Sequence, residues 1–295
     1  MQEGNAKWKL ITSMVIFGTI GLFVRHIPLP SSVIALCRGV TGTLFLVALL
    51  FWRKMRLDFT AIRKNLMWLL LSGAAIGFNW ILLFESYRYT SVAVSTLCYY
   101  LAPILVILVS PLLLKERLTG KKITCVVAAL CGMICLSGVL QSGIPGSGEL
   151  KGILFGVAAA LLYASIILMN KQLSDIAALE KTIVQLGTSA VVLLPYCFMT
   201  LGGVQLSVDL KALLLLIVVG VIHTGVSYAM YFDALGAIRG QTAAILSYID
   251  PVIAVLASVL ILREPMQGVE ALGAVLILGA AVVSEVSLPK RGTEK

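Results

Sequence analysis

The chain has 295 residues, of which 59% are hydrophobic and 13% charged. Ordinary soluble domains run at roughly 45–50% and 25%, so the composition argues against a water-soluble globule. The net charge of +9 is not a nucleic-acid footprint, because the basic residues sit in short clusters between apolar runs, where they orient a membrane protein.

Each apolar run is long enough to cross a hydrocarbon core, which takes roughly 20 helical residues. No run alternates polar and apolar at period two, so strands are not expected. In chain order the predicted spans are 9–25, 31–52, 66–84, 91–114, 121–140, 152–170, 182–201, 212–232, 240–262 and 269–287. The first follows Lys7 and Lys9 and resembles a signal peptide. It ends in Arg25-His26-Ile27-Pro28 without a small-x-small cleavage site, and is read as a retained helix. Pro28 and Pro30 separate the first two spans. Gly143, Pro145, Gly146 and Gly148 mark a linker over 143–151 between a first half, 1–142, and a second, 152–288, with a tail at 289–295. The six cysteines all fall inside apolar runs without companion histidines and read as small apolar fillers, not metal ligands. No cofactor is expected.

The two halves repeat at an offset of 148 residues. Phe84-Glu85 matches Phe232-Asp233, Tyr100-Leu101-Ala102-Pro103 matches Tyr248-Ile249-Asp250-Pro251, and Leu114-Lys115-Glu116 matches Leu262-Arg263-Glu264. With the amino terminus placed inside, 17 Lys and Arg fall on the inner side and five on the outer, which puts both termini in the cytoplasm. Five spans per half is an odd number, so the second half enters the membrane from the opposite side. The expected fold is therefore an all-α membrane protein of ten transmembrane helices built as two inverted five-helix repeats. Such repeats place a substrate site near the midplane where the halves meet.

Polar groups inside spans are costly and need a partner or a function. At 1.5 Å per helical residue, Asp250 and His223 lie roughly 15 Å deep, Arg38 roughly 10 Å from the outer face and Asn79 roughly 20 Å from the inner one. Pro103 and Pro251, equivalent by the repeat, are expected to kink their helices and free the carbonyls of Tyr99 and Ser247. Tyr100, Tyr248 and the matched pair Trp80 and Tyr228 add aromatic groups at the same depth. Arg38 and Asp250 either pair with each other or receive the carboxylate and ammonium of a zwitterion. His223 is weighed as a packing residue against a proton carrier. Glu85, Glu116, Asp233 and Glu264 sit at span ends and are read as structural carboxylates.

The stretches Phe84-Glu85-Ser86-Tyr87-Arg88-Tyr89-Thr90-Ser91, Pro103, Leu114-Lys115-Glu116-Arg117-Leu118-Thr119, Asp250-Pro251-Val252 and Leu262-Arg263-Glu264, with Arg38 in the second span, resemble the drug/metabolite transporter superfamily, specifically EamA-type permeases. The usual Trp-Gly of their first span is Phe17-Gly18 here. The resemblance implies a bacterial-type inner-membrane permease, often an exporter of amino acids or other metabolites. The expected function is a secondary transporter for a small metabolite, with the bilayer and the solute as partners and Asp250 and His223 as candidate proton sites. The alternative is a facilitator without ion coupling. An intramembrane enzyme would need clustered catalytic groups, and the chain has only two histidines and no midplane carboxylate pair.

Overall fold

A computed structural model describes residues 2–113, 119–136, 140, 146–201, 208–235, 237–238, 243 and 246–285, and among them it is helical with no strand. The helices of the first half are α1 (Gln2–Gly18), α2 (Ile20–Val24), α3 (Ser31–Trp52), α4 (Phe59–Lys64), α5 (Leu66–Tyr89), α6 (Val92–Tyr99), α7 (Ala102–Leu113) and α8 (Gly120–Leu136). The second half has α9 (Ser147–Asn170), α10 (Ala178–Leu201), α11 (Leu210–Ile217), a π-helical segment (Val218–Val226), α12 (Ser227–Leu235), α13 (Ile249–Leu260) and α14 (Gly268–Glu285). Seven helical runs among the described residues are long and apolar enough to cross a membrane, and Ile249–Leu260 and Gly268–Ser284 are shorter apolar helices.

Local chemistry explains the boundaries. Pro30 precedes α3, and Ser91 caps α6 by accepting from the Val94 amide at 3.0 Å. Asp209 caps α11 through the Ala212 amide at 2.7 Å. Asp58 caps the short α4, accepting from Thr60 and Ala61 amides at 2.9 and 3.0 Å. That helix lies in a stretch expected to be a loop.

Several expectations are corrected. The predicted first span is two helices interrupted at Thr19, and the fourth is two helices interrupted at Tyr100–Leu101. Pro103 and Pro251 sit in the first turns of α7 and α13, where a missing amide costs nothing. Helix ends therefore stand at these points in place of simple kinks. Part of the 143–151 stretch is helical, since α9 starts at Ser147 and carries Glu149 and Lys151 in its first turns. Glu116, the tail at 289–295 and much of the start of the predicted ninth span lie outside the described residues.

The packing follows the repeat. Helices that the 148-residue offset makes equivalent meet in pairs, α3 with α10 and α8 with α14, while α6 packs on α13, the equivalent of its neighbour α7. The remaining major contacts exchange equivalents, α1 with α12 and α5 with α9. Large apolar side chains such as Phe198, Met199, Leu260 and Val275 point outward. Buried small and polar residues, Ser72, Ser86, Ser95, Ser189 and Thr224, lie between helices. This inversion suits a bilayer, where lipid is as apolar as leucine and helices associate through close packing and interhelical hydrogen bonds. Ser86 illustrates it, meeting Ser95 at 2.7 Å and the Gly152 carbonyl at 2.8 Å.

Candidate functional site

The helix interruptions converge on a central cavity of about 320 Å³. Gly18 and Ile20 on either side of Thr19, Tyr100 between α6 and α7, and Ser247 and Asp250 on either side of Tyr248 and Ile249 line it. Discontinuous helices expose backbone and side-chain groups that a continuous helix would hide, which is how many transporters build sites at membrane depth.

Arg38 projects from α3 and is 6% exposed. Its guanidinium carbon lies 4.1 Å from the centroid of the Trp80 ring, a contact worth about 2 kcal/mol when desolvated. Its Nε donates to Thr224 Oγ1 at 2.8 Å. The Thr224 hydroxyl spends its own proton on the Val219 carbonyl five residues earlier, at 3.1 Å, so its lone pairs are left for Arg38. The π register thus aims the threonine. Gly42, one turn along α3 from Arg38, makes the reach short: a Cβ there would fall 2.5 Å from Thr224 Cγ2. Among the described residues, nothing hydrogen-bonds to Arg38 Nη1 or Nη2. The parallel fork of the guanidinium is free at the cavity wall.

Asp250 is the second residue of α13, where the positive end of a helix favours a carboxylate. Its Oδ2 accepts from the Tyr100 hydroxyl at 2.6 Å. Its backbone is held against α1 at Gly18, where a Cβ would sit 2.5 Å from the Asp250 carbonyl oxygen. Among the described residues no ion pair joins Asp250 to Arg38; each has its own neutral partner and both line the cavity.

The walls are aromatic and amphipathic. Tyr99 stacks on Tyr163 with centroids 4.8 Å apart and planes 6° from parallel, and Tyr228 meets Phe17 edge-on at 5.2 Å. Asn79 donates to the Ala159 carbonyl at 2.6 Å and accepts from the Tyr99 hydroxyl at 3.3 Å, which fixes that ring. Ser247 also lines the cavity and donates to the Ala243 carbonyl at 2.8 Å.

Of the residues expected at central depth, the structure brings Arg38, Asn79, Trp80, Tyr99, Tyr100, Tyr228, Ser247 and Asp250 to this cavity. His223 and Tyr248 stand behind its wall. The Thr19 hydroxyl gives its proton to the Ile16 carbonyl at 2.8 Å. His223 Nε2 lies 3.1 Å from that hydroxyl, and its Nδ1 lies 3.4 Å from the Val218 carbonyl. The imidazole ties the α1–α2 interruption to the π segment. Tyr248 packs against Tyr100 with centroids 6.3 Å apart. Glu264 lies away from the cavity, with Oε1 2.7 Å from Arg25 Nη1. Sequence reasoning missed Tyr163, Asn170, Lys181 and Gln185, which also line the cavity. Tyr163 was within reach, since its depth in α9 equals that of the residues singled out elsewhere.

A multi-pass helical bundle with a guanidinium and a carboxylate facing an aromatic-lined cavity defines the chain as an integral-membrane transporter. The EamA-like transporter family profile matches residues 7–138 and again 150–285. The chain belongs to the EamA-like transporter family. It is 31% identical over 260 residues to a Bacillus subtilis protein named uncharacterized transporter YxxF, covering 86% of this chain and 81% of that one. It is 26% identical over 285 residues to an uncharacterized transporter of Archaeoglobus fulgidus, covering 96% and 97%. It is 27% identical over 216 residues to protein PecM of Dickeya dadantii, covering 71% and 70%. A solved crystal structure with 19% identity aligns over 95% of this chain and 96% of its own at a TM-score of 0.65; at that identity the likeness is one of fold.

Proposed function

We propose that this transporter moves a small zwitterionic metabolite, an amino acid or a close relative, out of the cell across a bacterial-type cytoplasmic membrane. It does so by alternating access between two inverted five-helix halves, with ten crossings and both termini inside. The pairing of equivalent helices and the bias of basic residues support that frame. One observation carries the substrate class: Arg38 and Asp250 face one cavity, unpaired with each other, and the terminal nitrogens of Arg38 have no protein partner among the described residues. A carboxylate satisfies the guanidinium fork and an ammonium satisfies Asp250. The cavity, about 320 Å³, stands at the small end of the roughly 300–1,000 Å³ of ligand sites, which favours a metabolite over a bulky drug. Asp250 is the better placed proton site, because its carboxylate meets the cavity while His223 is committed to Thr19.

Counterflow of labelled L-amino acids in proteoliposomes tests this, with and without a pH gradient. Flux of at least one amino acid is expected, lost by tenfold or more in Arg38→Gln and Asp250→Asn proteins that still fold. Parent-like flux in both variants removes the zwitterion site. Flux indifferent to the gradient removes the proton role and leaves a facilitator.

A further inference from the structure

The cavity does not end at Arg38. It continues toward the face that bears the start of α1, where its wall is Asn170 at the end of α9 and Lys181, Thr182 and Gln185 in the first turns of α10. Several charged groups of this face are already engaged. Lys9 and Arg53 both meet Asp233, at 3.3 and 2.6 Å. Lys64 meets Asp175 at 2.8 Å. Glu180, next to Lys181, is buried and accepts from the Asp58 amide at 3.0 Å. Lys181 differs: it is half-buried in the cavity wall, and among the described residues its ammonium has no carboxylate and no hydrogen-bond partner.

Asn170 stands beside it in the same wall. Its Oδ1 accepts from Gln185 Nε2 at 2.7 Å, and that same nitrogen is held by Ser72 Oγ at 2.6 Å. The amide is thereby oriented with its oxygen used, and its Nδ2 protons have no partner among the described residues. The mouth thus offers an unpaired ammonium and a free amide donor, a combination that takes an anionic oxygen. Arg38 is the eighth residue of the 22-residue α3, whereas Lys181 is the fourth of α10. With the two helices packed side by side, at 1.5 Å per residue the backbone positions of the two residues lie about 15 Å apart along the bundle, so Lys181 stands nearer the mouth and Arg38 deeper.

We infer that Lys181 and Asn170 form a loading subsite that captures the substrate's carboxylate at the cavity mouth before it passes to Arg38. This rests on the zwitterion reading above. A half-exposed ammonium attracts the carboxylate end of an arriving zwitterion, and salt weakens that pull as the Debye length falls from about 30 Å at 0.01 M to about 8 Å at 0.15 M ionic strength. Arg38, sealed in the bundle, is not screened in this manner.

The test is amino-acid counterflow by the parent, Lys181→Gln and Lys181→Arg at these two ionic strengths. K181Q is expected to lower kcat/KM about tenfold at low ionic strength and less than twofold at the higher one, with K181R behaving as the parent. Equal kcat/KM for K181Q and the parent at both strengths overturns the subsite. So does an equal loss in K181Q and K181R, which would mark a structural role. If the parent moves no amino acid, the zwitterion reading falls by itself. The subsite is then judged by pyridoxal phosphate labelling with borohydride reduction. This anionic aldehyde should modify Lys181 several-fold faster than the paired Lys64, and equal rates overturn the proposal.

Discussion

Arg38 shows how the site depends on single atoms. Burial of a guanidinium is tolerated here because Trp80 covers one face and Thr224 takes Nε, while the fork formed by Nη1 and Nη2 stays available. Arg38→Lys keeps the charge and gives up the fork and the planar stacking. Hydrogen bonds to charged groups are worth about 1.5–3 kcal/mol, so the R38K protein should bind a carboxylate substrate tenfold or more weaker while melting near the parent temperature; thermal-shift titration with a transported amino acid reads both, and an unchanged affinity would remove the fork from recognition. The sequence made Arg38 and Asp250 conspicuous because a charge amid apolar residues is visible without any fold. Their partners were less legible. Thr224 is an ordinary residue in an apolar run, and only the crossing of α3 with the π segment makes it an acceptor. Lys181 was hidden for the opposite reason: it sits at a span end, where a lysine is expected to face water, and only packing shows that it lines the cavity.

Elements were legible where one residue carries the signal. Pro28 and Pro30, the repeated prolines and the glycine-rich stretch before α9 all mark real helix ends, because each changes the backbone by itself. The interruption at Thr19 and the π-helical run over Val218–Val226 have no such marker. They arise where neighbours press in, and Gly18 is the clearest instance. α1 and α13 approach so closely there that a Cβ would lie 2.5 Å from the Asp250 carbonyl oxygen and 2.7 Å from Ile253 Cβ. Backbone cannot yield as a flexible side chain does. Gly18→Val should therefore cost about 1–3 kcal/mol by overpacking, lower the apparent melting temperature and displace Asp250 from Tyr100. Gly4, with open space around it, is the control: Gly4→Val should leave melting and transport unchanged. A parent-like G18V would mean that α1 slides freely along α13, and that this contact does not position Asp250.

At the scale of the whole molecule, charged clasps join the two halves at both faces. On the face bearing the start of α1, Asp233 of the second half holds Arg53 through two hydrogen bonds of 2.6 and 3.0 Å, and Lys9 at 3.3 Å. The Asp233 carboxylate raises the pKa of Arg53, so this clasp stays charged across any physiological pH. On the opposite face Arg25 Nη1 donates to the Tyr87 and Thr90 carbonyls, both at 3.0 Å, and lies 2.7 Å from Glu264 Oε1. Glu264 Oε2 in turn accepts from the Val92 amide at 2.9 Å and from the Ser258 hydroxyl. This second cluster is the more buried, with the Glu264 side chain 11% exposed against 26% for Asp233, and water screens it less. It also closes over Tyr87, which lines both the central cavity and an outer pocket of about 550 Å³. Breaking it should release the ends of α5 and α13 from each other and favour opening on that side. In a cysteine-free background with Ile20→Cys as reporter in the cavity wall, Arg25→Gln should raise labelling by an impermeant maleimide from the Arg25 face several-fold. Combining Lys9→Gln with Arg53→Gln should lower it, since a weaker clasp on the first face holds that face open longer. Labelling that is the same in R25Q and the parent would show that the Arg25 cluster fastens the helices without gating them.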